Sequence, residues 1–175
     1  MKPRYLRPRL IEPDDAVDDF VCDSDEQTTW LRHHARQASA TDTAKVFVVT
    51  TTDSPAVVAY YAWAIASITI DDAPARLRKG AGRCPQPVAL LARLGVHQNH
   101  QRRGLGAALV LDVIARTAEL GTHVGCRGLL VHAESDTARD FYLHLISEFE
   151  SSPTDAHHLV LLMKDIHHTL RTLRP

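Results

Sequence analysis

Apolar positions along the chain follow two rhythms, and the switches between them mark the elements. Residues 45–51 (KVFVVTT) and the long run 56–70 (AVVAYYAWAIASITI) are rich in β-branched and aromatic side chains and read as strands. Asp53-Ser54-Pro55 between them reads as a turn, so the pair predicts a hairpin. Residues 88–96 (VALLARLGV) predict a central strand with Arg93 inside it, residues 127–133 (RGLLVHA) a short buried one, and 157–166 (HHLVLLMKDI) a last strand. Helical spacing governs 24–39 (SDEQTTWLRHHARQAS), where Ser24 and Gln27 have capping-box spacing and Trp30, Leu31 and Ala35 share the core face. It returns in an apolar helix that follows Gly104 and Gly106 and ends between Leu120 and Gly121. The polar residues Asp112, Arg116 and Glu119 form one narrow stripe on that helix, which predicts that most of its circumference is buried. Residues 135–145 (SDTARDFYLHL) predict a short helix capped by Ser135 or Asp136, and 71–87 a loop. Strand, helix, strand across 88–133 implies a parallel pair with a right-handed crossover, hence an α/β fold.

Length and composition narrow this without changing it. A chain of 175 residues, 45% apolar and 23% charged, suits one globular domain over 1–175. At net charge −1, a nucleic-acid partner has to be held by a local patch of cations. Three widely spaced cysteines without a CxxC pair point to a reducing cytoplasm and away from disulfides or zinc. No apolar signal core follows the basic start MKPRYLRPRL, and residues 56–70 are too short to span a bilayer, so no membrane association is expected. Lys2, Arg4, Arg7 and Arg9 precede a stretch from Glu12 to Glu26 in which every charge is negative; these read as two solvated faces around a first strand and a short helix. Among the eleven histidines, the pairs His33-His34, His157-His158 and His167-His168 are sequence neighbours whose side chains diverge, so no metal is expected. His132, at the end of a buried strand, is kept as a candidate site residue.

The junction Gly95–Ala115 carries the chemistry. Two arginines and two glycines stand where an apolar helix begins, and the free N–H groups of a first helical turn favour an anion. No Gly-Lys-Ser/Thr ending is present, which excludes a P-loop. A dinucleotide fingerprint would need a small residue at Leu109 and a turn directly after the strand, whereas six residues separate Val96 from Arg103. The pattern that fits is Gln/Arg-x-x-Gly-x-Gly/Ala, met by Gln101-Arg102-Arg103-Gly104-Leu105-Gly106. The residues suited to an anionic ligand are therefore Arg102, Arg103, Gly104, Leu105, Gly106, Ala107 and Ala108.

In this setting the loop resembles that of the GNAT acetyltransferase superfamily. FVCDSDEQTTWLRHHARQ, KVFVVT, Asp72-Ala73-Pro74 with RLRKG, ARLGV, GLLVHAESDTARDFY and ESSPTD together resemble the GNAT toxins of bacterial toxin–antitoxin operons. The resemblance implies a GNAT fold: a mixed central β-sheet flanked by helices, with a splayed parallel strand pair around acetyl-CoA. It implies acetyl-CoA as cosubstrate, aminoacyl-tRNA as acceptor, a ribbon-helix-helix antitoxin and a homodimer. Leu94, Gly95 and Val96 would pair with the pantetheine arm and polarise the acetyl carbonyl, with Ser135 and Ala138 beside the pantetheine or sulfur. Tyr142 matches the tyrosine that protonates the departing thiolate, although Ala138, Phe141, Tyr142 and Leu145 also form an apolar face on which it would simply pack.

The chain departs from that pattern in three places. LISEFE after Tyr142 lacks the usual Gly-Phe and runs two residues longer, Asp23 stands for a glycine after Cys22, and His97 stands where the subgroup often has aspartate. Arg76, Arg78, Lys79 and Arg93 form the densest cation cluster outside the N-terminus and are the candidate tRNA contacts. Two other readings stay open. One is an N-acetyltransferase for a small amine or a protein, favoured by an acidic acceptor cleft; the other is a non-catalytic acyl-CoA-binding module.

Overall fold

A computed structural model describes residues 2–173. It shows a mixed α/β chain of seven strands and six α-helices among the described residues. In chain order these are β1 (Arg9–Leu10), α1 (Asp25–His33), α2 (Ala35–Ala40), β2 (Lys45–Thr51), β3 (Ser54–Ile68), α3 (Ala75–Arg78) and β4 (Gln86–Val96). Then follow α4 (Leu105–Leu120), β5 (Gly128–His132), α5 (Asp136–Leu145), β6 (Glu150–Ser151), β7 (His158–Leu162) and α6 (Met163–Thr172). The strand order is β1-β2-β3-β4-β5-β7-β6. β1 with β2, β2 with β3, β5 with β7 and β7 with β6 pair antiparallel, whereas β4 and β5 run parallel over Ala89–Leu91 against Leu129–Val131 while β4 continues to Val96.

The chain divides into two interleaved compact units: one reaches from the N-terminus to Ala64 and takes in Ala92–Asp112, the other holds Ile65–Leu91 and everything from Val113. In the first, the β2–β3 hairpin turns on Thr52–Asp53 alone, so Ser54 and Pro55, expected in the turn, open β3. Its core gathers Phe20, Leu31, Ala35, Val46, Val48 and Tyr60. The helix expected over 24–39 is interrupted at His34, whose backbone leaves the helical region (φ −124°, ψ −22°); Ser24 caps it as the spacing predicts, its hydroxyl accepting from the Gln27 N–H.

The acidic front is not uniformly solvated and forms no helix before α1. Asp15 is 4% exposed. Both its oxygens accept from Arg9, at 2.8 and 2.7 Å, and the Glu12 N–H donates to it at 2.7 Å. A carboxylate removed from water needs such partners, and this bidentate pair joins the basic run to the acidic one.

In the second unit, Ile68, Ala73, Leu77, Val88, Leu130, Val160 and Leu162 pack together. The expected loop 71–87 contains α3, because fully buried Leu77 anchors one helical turn after Pro74. The expected last strand stops at Leu162. Beyond it the apolar positions are Met163, Ile166 and Leu170, spaced three and four apart, and the chain continues as α6 with Ile166 buried.

Candidate functional site

The end of β4 and the start of α4 belong to the first unit. Gly95 is buried, and a Cβ there would meet the Tyr60 ring at 2.9 Å, Phe20 at 3.4 Å and Cys22 at 3.5 Å. Tyr60 is itself tied to α1, donating its phenol proton to the Gln27 carbonyl at 2.7 Å. The close approach that glycine allows here is therefore that of the core rings, which back the strand from one side.

From Val96 the chain makes a 3-10 turn at Gln98–His100. The turn is pinned by main-chain bonds from His97 N–H to the Val58 carbonyl and from Gln98 N–H to the Val21 carbonyl, both 2.8 Å. The Gln101 amide donates back to the Val96 carbonyl at 3.3 Å, so strand end and loop hold each other. Arg102 and Gly104 then take positive φ, 58° and 81°. Both lift the loop into a conformation that opens the first turn of α4 outward.

Leu105 is buried and anchors the helix, while Arg102, Arg103 and Gly104 are exposed. The N–H of Ala108 donates to the Gly104 carbonyl at 3.0 Å and is committed. The amides that α4 leaves without intrahelical partners are those of residues 104–107, so the Ala108 amide drops out of the set suited to an anion. An exposed amide turn with two guanidinium side chains is a fit for a diphosphate. Along α4, Asp112 does not face water only: it accepts the Tyr61 hydroxyl at 2.6 Å.

Ser135, Ala138 and Tyr142 belong to the second unit. Ser135 caps α5, its Oγ accepting from the Ala138 N–H at 3.1 Å, which commits both groups to the helix start. Tyr142 is 6% exposed. Its ring meets Phe141 and Phe149 edge-on, at centroid distances of 5.2 and 5.9 Å. Phe149, the aromatic of the lengthened LISEFE segment, is buried against the tyrosine. Burial pushes the Tyr142 phenol well above the ordinary tyrosine range, so it keeps its proton at neutral pH.

The four candidate RNA contacts differ in kind. Arg76 is bound to Glu150 at 2.7 Å and to Asp165 at 2.9 Å, and its charge is spent inside the second unit. Arg93 pairs with Glu26 at 2.6 Å and lies over the Trp30 ring, 5.5 Å from its centroid. With Asp25, Thr29 and His34 they line an open depression of about 390 Å³ in the first unit. Trp30 packs against the core as its spacing predicts, and its stacking under Arg93 is an addition whose only signal in the sequence is an aromatic on the edge of a helix's apolar face. Arg78 and Lys79, with Arg83 nearby, are exposed and have no ion-pair partner among the described residues. His132, the candidate at the end of β5, is exposed and stacks on His158 with ring centroids 4.0 Å apart. Among the described residues no three His, Cys, Asp or Glu side chains form a group able to hold a metal. No helix of the described residues is long and apolar enough to cross a membrane.

Comparison with known proteins gives these features a context. The model of the acetyltransferase (GNAT) family matches residues 14–145. A tRNA-acetylating toxin of Mycobacterium tuberculosis is 41% identical over 161 residues, 92% of this chain and 94% of that one. Two solved structures share the fold. AtaT complexed with acetyl-methionyl-tRNAfMet superposes with TM-score 0.85 at 20% identity, covering 95% of this chain and 99% of that one. A mutant AtaT toxin bound to the C-terminus of the antitoxin AtaR and acetyl-CoA superposes with TM-score 0.79 at 19% identity, covering 95% and 98%.

Proposed function

Because this chain belongs to the GNAT acetyltransferase family, we propose that it moves the acetyl group of acetyl-CoA onto the amino group of an aminoacyl-tRNA and so blocks translation. The observation that carries the reading is a tRNA-acetylating relative that is 41% identical along nearly the whole chain. In this reading residues 1–175 act as one acetyltransferase domain.

The diphosphate of the cosubstrate sits on the amides of Gly104, Leu105, Gly106 and Ala107, with Arg102 and Arg103 adding charge. Main-chain groups of Leu94, Gly95 and Val96 hold the pantetheine arm as an added strand, and one N–H polarises the acetyl carbonyl. The neutral amine attacks that carbonyl carbon, a C–N bond forms, the C–S bond breaks, and the amine's extra proton leaves to solvent. Tyr142, which burial keeps protonated, delivers its proton to the thiolate and regains one from solvent before the next turnover. Ser135 and Ala138 serve by fixing the start of the helix that carries Tyr142. Arg78 and Lys79 meet tRNA phosphates, since their charges are uncommitted; Arg76 and Arg93 are drawn off by carboxylates.

The proposal includes a bacterial cytoplasmic location, since an aminoacyl-tRNA acceptor is met there. A ribbon-helix-helix antitoxin and a homodimer complete the proposal; the support for an antitoxin is the AtaT–AtaR complex of the same fold. The test offers labelled acetyl-CoA in parallel to a charged tRNA pool, free amines and proteins. Label retained on charged tRNA alone is expected. Label on amines or proteins with none on tRNA would replace this function with one of the other acetyltransferases.

A further inference from the structure

The turn that feeds the α4 loop has a partner from the far end of the sequence. Tyr5 lies 95 positions before His100, and its phenol oxygen is 3.0 Å from His100 Nδ1. The two rings meet edge-on, centroids 5.7 Å apart. The N-terminal arm that delivers Tyr5 is held by its own main chain: Tyr5 bridges Thr51, the Leu6 N–H donates to the Thr50 carbonyl at 2.9 Å, and the Thr52 N–H donates to the Arg4 carbonyl at 3.0 Å. The phenol is thus a fixed object. His100 is held as well, its main-chain N–H donating to the His97 carbonyl at 2.8 Å, and it stands two residues before Arg102, the first loop residue with positive φ.

We propose that Tyr5 and His100 are part of the diphosphate site: the phenol donates to Nδ1, so that neutral His100 carries its proton on Nε2, and this imidazole joins Arg102 and Arg103 in meeting phosphate oxygen. Tyr5 is then a positioning residue acting through His100, and the inference rests on the cosubstrate loop assigned above. A phenol fixes the tautomer because a neutral imidazole has one donor and one acceptor nitrogen, and an O–H that donates to one leaves the proton on the other. Supporting hydrogen bonds of this kind orient histidines that bind charged groups.

The surroundings add a consequence. The groups facing His100 are the Tyr5 phenol, the His97 ring at 5.7 Å and the Arg103 guanidinium. Burial, then His97 and Arg103, hold the free imidazole below the ordinary histidine range. Anionic phosphates brought to the loop act in the opposite sense and favour the imidazolium. Binding should therefore take up a proton at His100, and the affinity should rise as pH falls.

The experiment is calorimetric titration of the full chain with CoA at several pH values, in two buffers of different protonation enthalpy. A one-unit rise in the bound-state pKa corresponds to at most about tenfold tighter binding than at about pH 8, approached only as pH falls below the free-state pKa, over and above the slope of His100→Gln. The parent takes up a proton that His100→Gln does not. Tyr5→Phe frees the tautomer, so it loses about fivefold in affinity at about pH 8 and much less at a pH low enough for both ring nitrogens to be protonated. A purely structural role for Tyr5 predicts a uniform loss. Equal proton uptake in parent and His100→Gln, or a pH-independent loss in Tyr5→Phe, would overturn the proposal. Should Tyr5→Phe fail to fold, His100→Gln alone decides. Arg103→Glu is run alongside: if it binds CoA like the parent, the loop assignment fails; if it loses binding while the His100 variant matches the parent, only this inference does.

Discussion

At the scale of single residues, burial separates what spacing leaves together. Ala138, Phe141, Tyr142 and Leu145 look alike on a helical wheel, yet the ring of Tyr142 is enclosed between aromatic edges and its phenol holds its proton at neutral pH. Tyr142→Phe removes only the hydroxyl. Acetyl-CoA affinity measured by calorimetry should stay within about twofold, and the transfer rate should fall on the order of 10²–10⁴-fold; a rate near the parent's returns Tyr142 to the core. Asp15 gives a second residue-level expectation. Burial would raise its pKa, but the Arg9 hydrogen bonds, the Glu12 N–H and the charges of Arg9 and Arg36 outweigh this and hold it below the ordinary carboxylate range. A lowered native pKa adds stability above the unfolded value of about 3.9 and loses it as pH falls through the native one. Asp15→Asn should therefore cost about 1–3 kcal/mol near neutral pH in denaturant unfolding. It should also have a shallower acid limb below about pH 4. The tyrosine's place was legible in the sequence; the Arg9–Asp15 pair was not, because a run of like charges conceals which member the fold turns inward.

At the scale of elements, the loop before α4 was the most legible part of the chain, since its signals are local. Glycine, arginine and an apolar helix stand side by side, and the backbone takes the form they demand. What the sequence could not supply was the state of each amide, which depends on where the first helical hydrogen bond falls. Nothing lies within 4 Å of a Cβ built at Gly104, and the obstacle to a side chain there is its φ of 81° alone. Gly104→Val should cost about 1–2 kcal/mol in thermal unfolding from left-handed strain. CoA binding should be lost through the displaced turn, and unchanged CoA affinity would remove the anion site. The last element differs from the expectation for the converse reason: after Leu162 a continuous apolar run gives way to helical spacing within a few residues, too short a stretch for the new period to declare itself.

At the scale of the whole molecule, the interleaving of two units was invisible to sequence reading, because it is decided by contacts between distant segments. So was the fate of the cations. Arg76 and Arg78 stand two residues apart, but one turns toward Glu150 and Asp165 while the other remains uncommitted. Arg78→Glu with Lys79→Glu should weaken tRNA binding most at low salt, flatten its salt dependence, and leave CoA affinity unchanged. Binding curves that coincide with the parent's at every salt concentration would clear this surface of a role and pass the question to Lys2, Arg4 and Arg7. Arg76→Ala is the matching control, expected to lower the melting temperature with little effect on the salt slope.

The position of β7 bears on how the protein is made. It lies between β5 and β6, paired to both, although it is the last strand to be synthesised. While the chain is still on the ribosome, β5 has its parallel neighbour and an open edge on the other side, and β6 has no sheet to join. Folding that proceeds from the N-terminus during translation can set up the hairpin of the first unit early. The sheet of the second unit closes only when residues 158–162 leave the exit tunnel, after both strands they join, and until then β5 offers the unpaired edge most open to mispairing.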